Sequence, residues 1–176
     1  MQDKPNDKLE AIRLIVTDVD GALTDGSITL CSDGSEAKSF NSRDGLGANI
    51  WVRLGRHFAI ITGRGESEVV RHRAREMRAH KTLFASKGKD KDFLNVCEQI
   101  GVEPSEAAFI GDDLTDMPAM RCAGLSVAVG DAAFELKQVC DMVTKAPGGR
   151  GALRELIEAA LKAQGAWDEA LSKYKQ

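Results

Sequence analysis

Several features that would settle the class of this chain at once are missing from it. No apolar run approaches the roughly 18 residues of a membrane-spanning helix, so no bilayer span is expected. Met1 to Glu10 is polar and lacks the apolar core of a signal peptide, which points to the cytoplasm. The 4 cysteines, Cys31, Cys97, Cys122 and Cys140, are scattered without a C-x-x-C pair. That spacing argues against a zinc site or a disulfide framework and for reduced thiols. An excess of one charge is absent as well: 24 basic and 27 acidic residues are interspersed, for a net charge of -3. Nothing in that balance favours nucleic acid as a partner. Internal repeats and low-complexity segments are also lacking. What remains is an ordinary globular mixture, 43% hydrophobic and 29% charged, of single-domain length.

Within it, strand and helix signals alternate. Residues 1–10 read as a flexible arm, and Ile12 to Thr17 as a buried strand, a short apolar run closed by turn residues. Asp33-Gly34 marks a small β-hairpin over about residues 26–40. Asp44 is expected to cap a helix reaching Leu54, and His57 to Ile61 forms the next strand. Then follow a helix over Glu66 to Met77, a strand over Thr82 to Ala85 and a helix over Asp90 to Ile100. The apolar face of that last helix is Phe93, Leu94, Cys97 and Ile100. Strands at Ala107 to Ile110, Leu125 to Val129 and Met142-Val143 alternate with helices near Ala132 to Val139 and Gly151 to Ala163. Such alternation predicts an α/β fold over residues 11–163, a doubly wound, Rossmann-like parallel sheet with a hairpin flap. Residues 164–176, with Trp167, Leu171 and Tyr174, form a tail that crosses the surface or docks on a neighbouring subunit.

Ligands of open α/β sheets bind beyond the carboxyl ends of the strands. Four strand ends carry chemistry there: Asp18 with Asp20, Thr62 with Gly63, Lys91 at a helix start, and Asp112 with Asp113 and Asp116. Asp18 and Asp20 are two apart on extended chain, so both can face one site. Their repulsion calls for a cation between them or a proton on one of them. Magnesium takes hard oxygen ligands and fits Asp18 and Asp112, with Asp113 and Asp116 as supporting acids. A phosphate monoester suits such a site. A carboxylate meeting a phosphate is repelled by about 4 kcal/mol per charge pair at 4 Å and an effective dielectric of about 20. The metal and Lys91, in competition with Lys87 and Lys89, would cancel this, while Thr62 and nearby amides hold the phosphoryl oxygens. Asp18 would be the nucleophile and Asp20 the acid and base, with the backbone carbonyl of Asp20 on the metal.

These residues match a known pattern. Asp18-Val-Asp20-Gly21, Thr62-Gly63, Lys91 and Gly111-Asp112-Asp113-x-x-Asp116 resemble the four motifs of the haloacid dehalogenase superfamily. Asp18 to Gly26, Phe40 to Gly47, Ile60 to Arg64 and Gly148 to Glu155 resemble, more narrowly, the 3-deoxy-D-manno-octulosonate (KDO) 8-phosphate phosphatases. The resemblance implies a magnesium-dependent homotetramer without a cap domain, acting on an acidic sugar phosphate in lipopolysaccharide precursor synthesis. Short spacings agree, since fewer than about 30 residues separate Thr62 from Lys91. Arg64 and Arg73, with Gly63, are candidates for binding the substrate, because a guanidinium grips a carboxylate in a bidentate fork. The sequence departs from the pattern at Ala22, at an extra residue after Arg64, at Lys87 and at Gly130-Asp131.

Three other readings compete. A phosphatase for a nine-carbon sialic-type acid 9-phosphate would carry glutamate where Arg64 stands. A phosphoaspartate receiver domain places its acidic pair before the phosphoacceptor, whereas Asp112 and Asp113 follow the lysine here. A non-catalytic scaffold would have no need of the full acidic set.

Overall fold

The structure, a computed structural model, describes residues 5–175. In chain order the elements are α1 (Pro5–Ala11), β1 (Leu14–Thr17), β2 (Thr29–Leu30), β3 (Glu36–Ala37), α2 (Ser42–Arg53), β4 (His57–Ile61), α3 (Glu68–Glu76), β5 (Lys81–Leu83) and α4 (Lys89–Ile100). They continue as β6 (Ala107–Gly111), α5 (Met117–Cys122), β7 (Leu125–Ala128), α6 (Phe134–Val139), β8 (Met142–Val143), α7 (Ala152–Ala163) and α8 (Trp167–Ser172). Six strands form one parallel sheet in the order β5-β4-β1-β6-β7-β8, and β2 pairs with β3 as a separate antiparallel hairpin. The expected α/β class is therefore the observed one. Among the described residues there is no cap domain, since only the hairpin and α2 lie between β1 and β4.

Strand β1 is central because Leu14, Ile15 and Val16 are all fully buried, which requires cover on both faces. Thr17 is in register with Ile60 of β4 and Ile110 of β6, so the three chains leave the sheet at one rim. From β1 the chain moves outward through β4 and β5, and from β6 it moves the other way through β7 and β8. The crevice between β1 and β6 is thus the point where the strand order reverses, the usual ligand position in this architecture.

Two local expectations need correcting. Residues 5–11 are helical rather than a loose arm: Leu9 joins the core and Lys8 pairs with Asp141 at 2.5 Å. Residues 1–4 of the expected arm lie outside the described residues. The tail takes the first of its two expected courses, crossing the surface of its own chain through α8, with Ala170 buried, its carbonyl accepting from Arg53, and Trp167 under Arg154 and Lys162. The cap of α2 is Asn41, whose side chain accepts from the Arg43 amide. Asp44 instead reaches across to the start of α7, accepting from the Gly151 and Arg154 amides at 3.2 and 2.9 Å. It therefore locks two helix starts together.

Candidate active site

Asp18 leaves the end of β1 almost completely buried, and its Oδ1 accepts from the Lys89 ammonium at 2.6 Å. The same ammonium donates to Asp116 Oδ1 at 2.6 Å. Lys89 therefore holds the place that the sequence reading gave to Lys91. Residues two apart on a helix differ by about 200° in direction, so only one of the two lysines can face the sheet. Lys91 is exposed and borders a separate depression with Phe84 and Asn95. A sequence signal for the right lysine exists: stepping back four residues from buried Phe93 along the inward face of α4 reaches Lys89. Leu94, expected on that face, is 43% exposed.

The second acidic group is built around Asp116, which has no exposed surface. Its Oδ2 accepts from the Asp112 and Asp113 amides, and its Oδ1 takes Lys89, so both oxygens are committed to the chain. Gly111 is what admits this carboxylate, because a Cβ there would stand 2.4 Å from Asp116 Oδ2. Asp113 caps the short 3-10 turn Leu114–Asp116 through the Leu114 amide. Asp112 differs from both: among the described residues its carboxylate accepts no hydrogen bond. It lies against Gly21, where a Cβ would come within 2.0 Å of Asp112 Oδ2.

Oxygen atoms of Asp18, Asp112 and Asp116 lie within 4.8 Å of one another. Burial and the neighbouring Asp116 push the Asp18 carboxyl up to about 6, against the pull of Lys89. Burial, then Asp116, Asp18 and Asp113, push Asp112 up to about 7. For Lys89, burial lowers the pKa but the two carboxylates outweigh it, and the net direction is upward. One ammonium is thus too little charge for this many acids. With Asp116 fully occupied, Asp18 and Asp112 have the free oxygens that a hard divalent cation such as magnesium requires. The chemistry of the donor set fits that ion.

Asp20, Thr62, Gly63 and Arg64 line both lobes of the cleft above these acids. One lobe, of about 540 Å³, holds Asp18, Lys87, Lys89, Asp112 and Asp113; the other, of about 480 Å³, lies toward the hairpin with Glu36, Lys38 and Gly65. Thr62 is 2% exposed, and its hydroxyl accepts from the Arg64 amide at 3.2 Å. Its own proton is left for a ligand. The Asp20 side chain stands apart from the carboxylate cluster and pairs with Lys38, and Arg64 pairs with Glu36. Arg73 does not reach the cleft. Its guanidinium donates to the Asn41 carbonyl at 2.7 Å and to Glu76 at 3.1 Å, and it lies over Phe40. It braces the start of α2, and the expectation that it binds substrate is withdrawn.

The departures from the expected pattern also find places. Lys87 lines the metal-side lobe and Gly65 the hairpin-side lobe. Asp131 accepts from the Gly148 amide, while Gly149 donates to the Ala22 carbonyl, so this turn supports the loop after β1. Sequence reasoning missed Lys38 altogether, because nothing local to a hairpin lysine says which strand end it will meet.

A buried aspartate at the switch point, a lysine on it and a nearby acidic cation site define a metal-dependent phosphohydrolase of the haloacid dehalogenase class. The haloacid dehalogenase-like hydrolase family model matches residues 84–156. KDO 8-phosphate phosphatase KdsC of Escherichia coli K12 is 42% identical over 163 residues, covering 93% of this chain and 86% of that protein. The Haemophilus influenzae protein of the same name is 37% identical, covering 90% and 87%. A crystal structure of the Moraxella catarrhalis phosphatase, in complex with magnesium, phosphate and KDO, superposes with a TM-score of 0.93 at 37% identity, covering 97% of each chain. The chain belongs to the KDO 8-phosphate phosphatase family.

Proposed function

We propose that this protein hydrolyses KDO 8-phosphate to the free sugar acid and phosphate, as a step of lipopolysaccharide precursor synthesis. The observation that carries the reading is the buried Asp18–Lys89 pair facing, across the crevice between β1 and β6, the Asp112 carboxylate, which accepts no hydrogen bond among the described residues. Magnesium would be held by Asp18, Asp112 and the Asp20 carbonyl, and when bound it supplies the positive charge that lets a carboxylate approach a phosphate.

The chain's own residues account for the rest. Asp18 attacks phosphorus, the bond from phosphorus to the sugar oxygen breaks, and Asp20 gives a proton to the departing alkoxide. Asp20 then takes a proton from water, whose oxygen attacks phosphorus. The aspartyl-phosphate bond breaks, releasing phosphate and restoring the Asp18 carboxylate. Lys89 keeps Asp18 in line and offsets negative charge, while the Thr62 hydroxyl and Gly63 amide hold phosphoryl oxygens. Arg64, at the junction of the two lobes, receives the sugar carboxylate.

The same reading places the enzyme in the cytoplasm as a homotetramer, with a neighbouring subunit closing the cleft over the hairpin. Leu30, 70% exposed at the hairpin, supports such a contact. Phosphate release from the eight-carbon and nine-carbon acid phosphates tests the substrate; a clear preference for the nine-carbon one overturns it. Asp18→Asn should abolish hydrolysis with fold and assembly retained, and an unchanged rate would remove Asp18 as nucleophile.

A further inference from the structure

Lys38 follows β3 directly, with exposed neighbours on both sides, yet its own side chain is only 3% exposed. Its ammonium pairs with Asp20 Oδ1 and lies 3.6 Å from Glu36 Oε2. An ammonium withdrawn from water this far is held by its carboxylates and little else. Among the described residues Asp20 accepts from no other side chain, so its Oδ2 is left without a protein donor. The second Glu36 oxygen takes Arg64. A chain of alternating charge, Asp20–Lys38–Glu36–Arg64, therefore runs from the first strand across the hairpin to the end of β4.

We propose that Lys38 is a positioning residue for proton transfer: it clamps Oδ1 of Asp20 and thereby aims Oδ2 at the oxygen leaving phosphorus. This rests on Asp20 being the acid and base proposed above. Lys38 lines the hairpin-side lobe and not the lobe that holds Asp18 and Asp112, so it is not placed as a phosphate ligand. Glu36 supports it from behind, which explains a hairpin anchored by charge although each of its strands is only 2 residues long.

The test compares kcat/KM for KDO 8-phosphate, whose alkoxide needs a proton to leave, with p-nitrophenyl phosphate, whose leaving group does not. Asp20→Asn should lose activity selectively on the sugar phosphate. Lys38→Met should show the same selectivity, about 10- to 100-fold on the sugar phosphate and within about threefold on the aryl ester, as expected for a misaimed proton donor. Lys38→Arg should recover part of the loss. If the Met variant does not fold, the Arg variant carries the comparison, with a smaller loss of the same selectivity. The double variant Asp20→Asn/Lys38→Met should be no worse than Asp20→Asn alone, because Lys38 acts through Asp20. Multiplying losses in the double variant would overturn the proposal, as would equal losses on both substrates or a rise in KM alone. A selective loss in Asp20→Asn without one in the Lys38 variants rejects the positioning role and leaves the Asp20 assignment standing. No loss in Asp20→Asn rejects both.

Discussion

The Lys89 ammonium lies 2.6 Å from Asp18 and 2.6 Å from Asp116, joining the acid that ends β1 to one that follows β6. All three side chains are at most 7% exposed, so the charges meet in a weakly screened environment. Removing one partner of a buried ion pair strands the others, at a cost of about 3–5 kcal/mol. Lys89→Met should therefore lower stability by about 3 kcal/mol in denaturant titration and cut phosphatase activity by at least about a hundredfold. Lys91→Met should stay within about twofold of the parent in rate. Equal losses in the two variants would contradict the assignment of the lysine.

Gly21 has φ +101, and a Cβ there would meet Asp112 Oδ2 at 2.0 Å. Gly21→Ala should displace the Asp112 carboxylate and also cost about 1–2 kcal/mol of backbone strain. A ligand that binds only the folded state raises the melting temperature with its concentration. The parent should show such a rise with magnesium, and the variant should show little, while far-ultraviolet circular dichroism stays the same. A normal magnesium response in the variant would place the ion elsewhere.

Asp44 is 1% exposed and accepts the Gly151 and Arg154 amides. Asp44→Ala leaves both donors unsatisfied and should cost about 1–3 kcal/mol for each. Burial outweighs those hydrogen bonds and raises the Asp44 pKa above 3.8. A raised folded-state pKa means that the folded chain binds the proton more tightly than the unfolded one. Its contribution is fully present below 3.8 and is lost as the pH rises through the folded value. The stability of the parent relative to Asp44→Asn should therefore increase on acidification, read as the difference between paired denaturant titrations. A difference that shrinks toward low pH would reverse the sign.

Cys97 lies on the core-facing side of α4, and burial pushes its thiol up to about 11. The thiolate is the form that reacts, so at pH 8 about one molecule in a thousand is competent. Cys31 on the hairpin is exposed. Mass spectrometry after brief iodoacetamide treatment should find Cys31 modified and Cys97 untouched until the chain unfolds. Early labelling of Cys97 would mean that α4 opens locally.

Much of the architecture was readable in order along the chain, because buried parallel strands are short apolar runs and glycine ends helices. His57 to Ile61 and Met142-Val143 match their strands residue for residue. The acids Asp18, Asp20 and Asp112 stand at strand ends by the same logic. Helix direction was harder: Lys87, Lys89 and Lys91 differ little as letters, yet Lys87 lies in the loop before α4, and only their angle about that helix separates Lys89 from Lys91. Arg73 had the chemistry of a carboxylate binder, but packing over Phe40 and its bond to the Asn41 carbonyl took its guanidinium elsewhere.

By itself the sequence determined the alternation of strand and helix, the acids at the strand ends and the family, since each depends on local pattern and motif. Only the tertiary structure decided which lysine meets Asp18, that Asp44 caps α7 rather than its own helix, and that Lys38 reaches Asp20. Those pairings join residues distant along the chain. Their partners are set by the register and rotation of packed elements, which no local run of residues encodes.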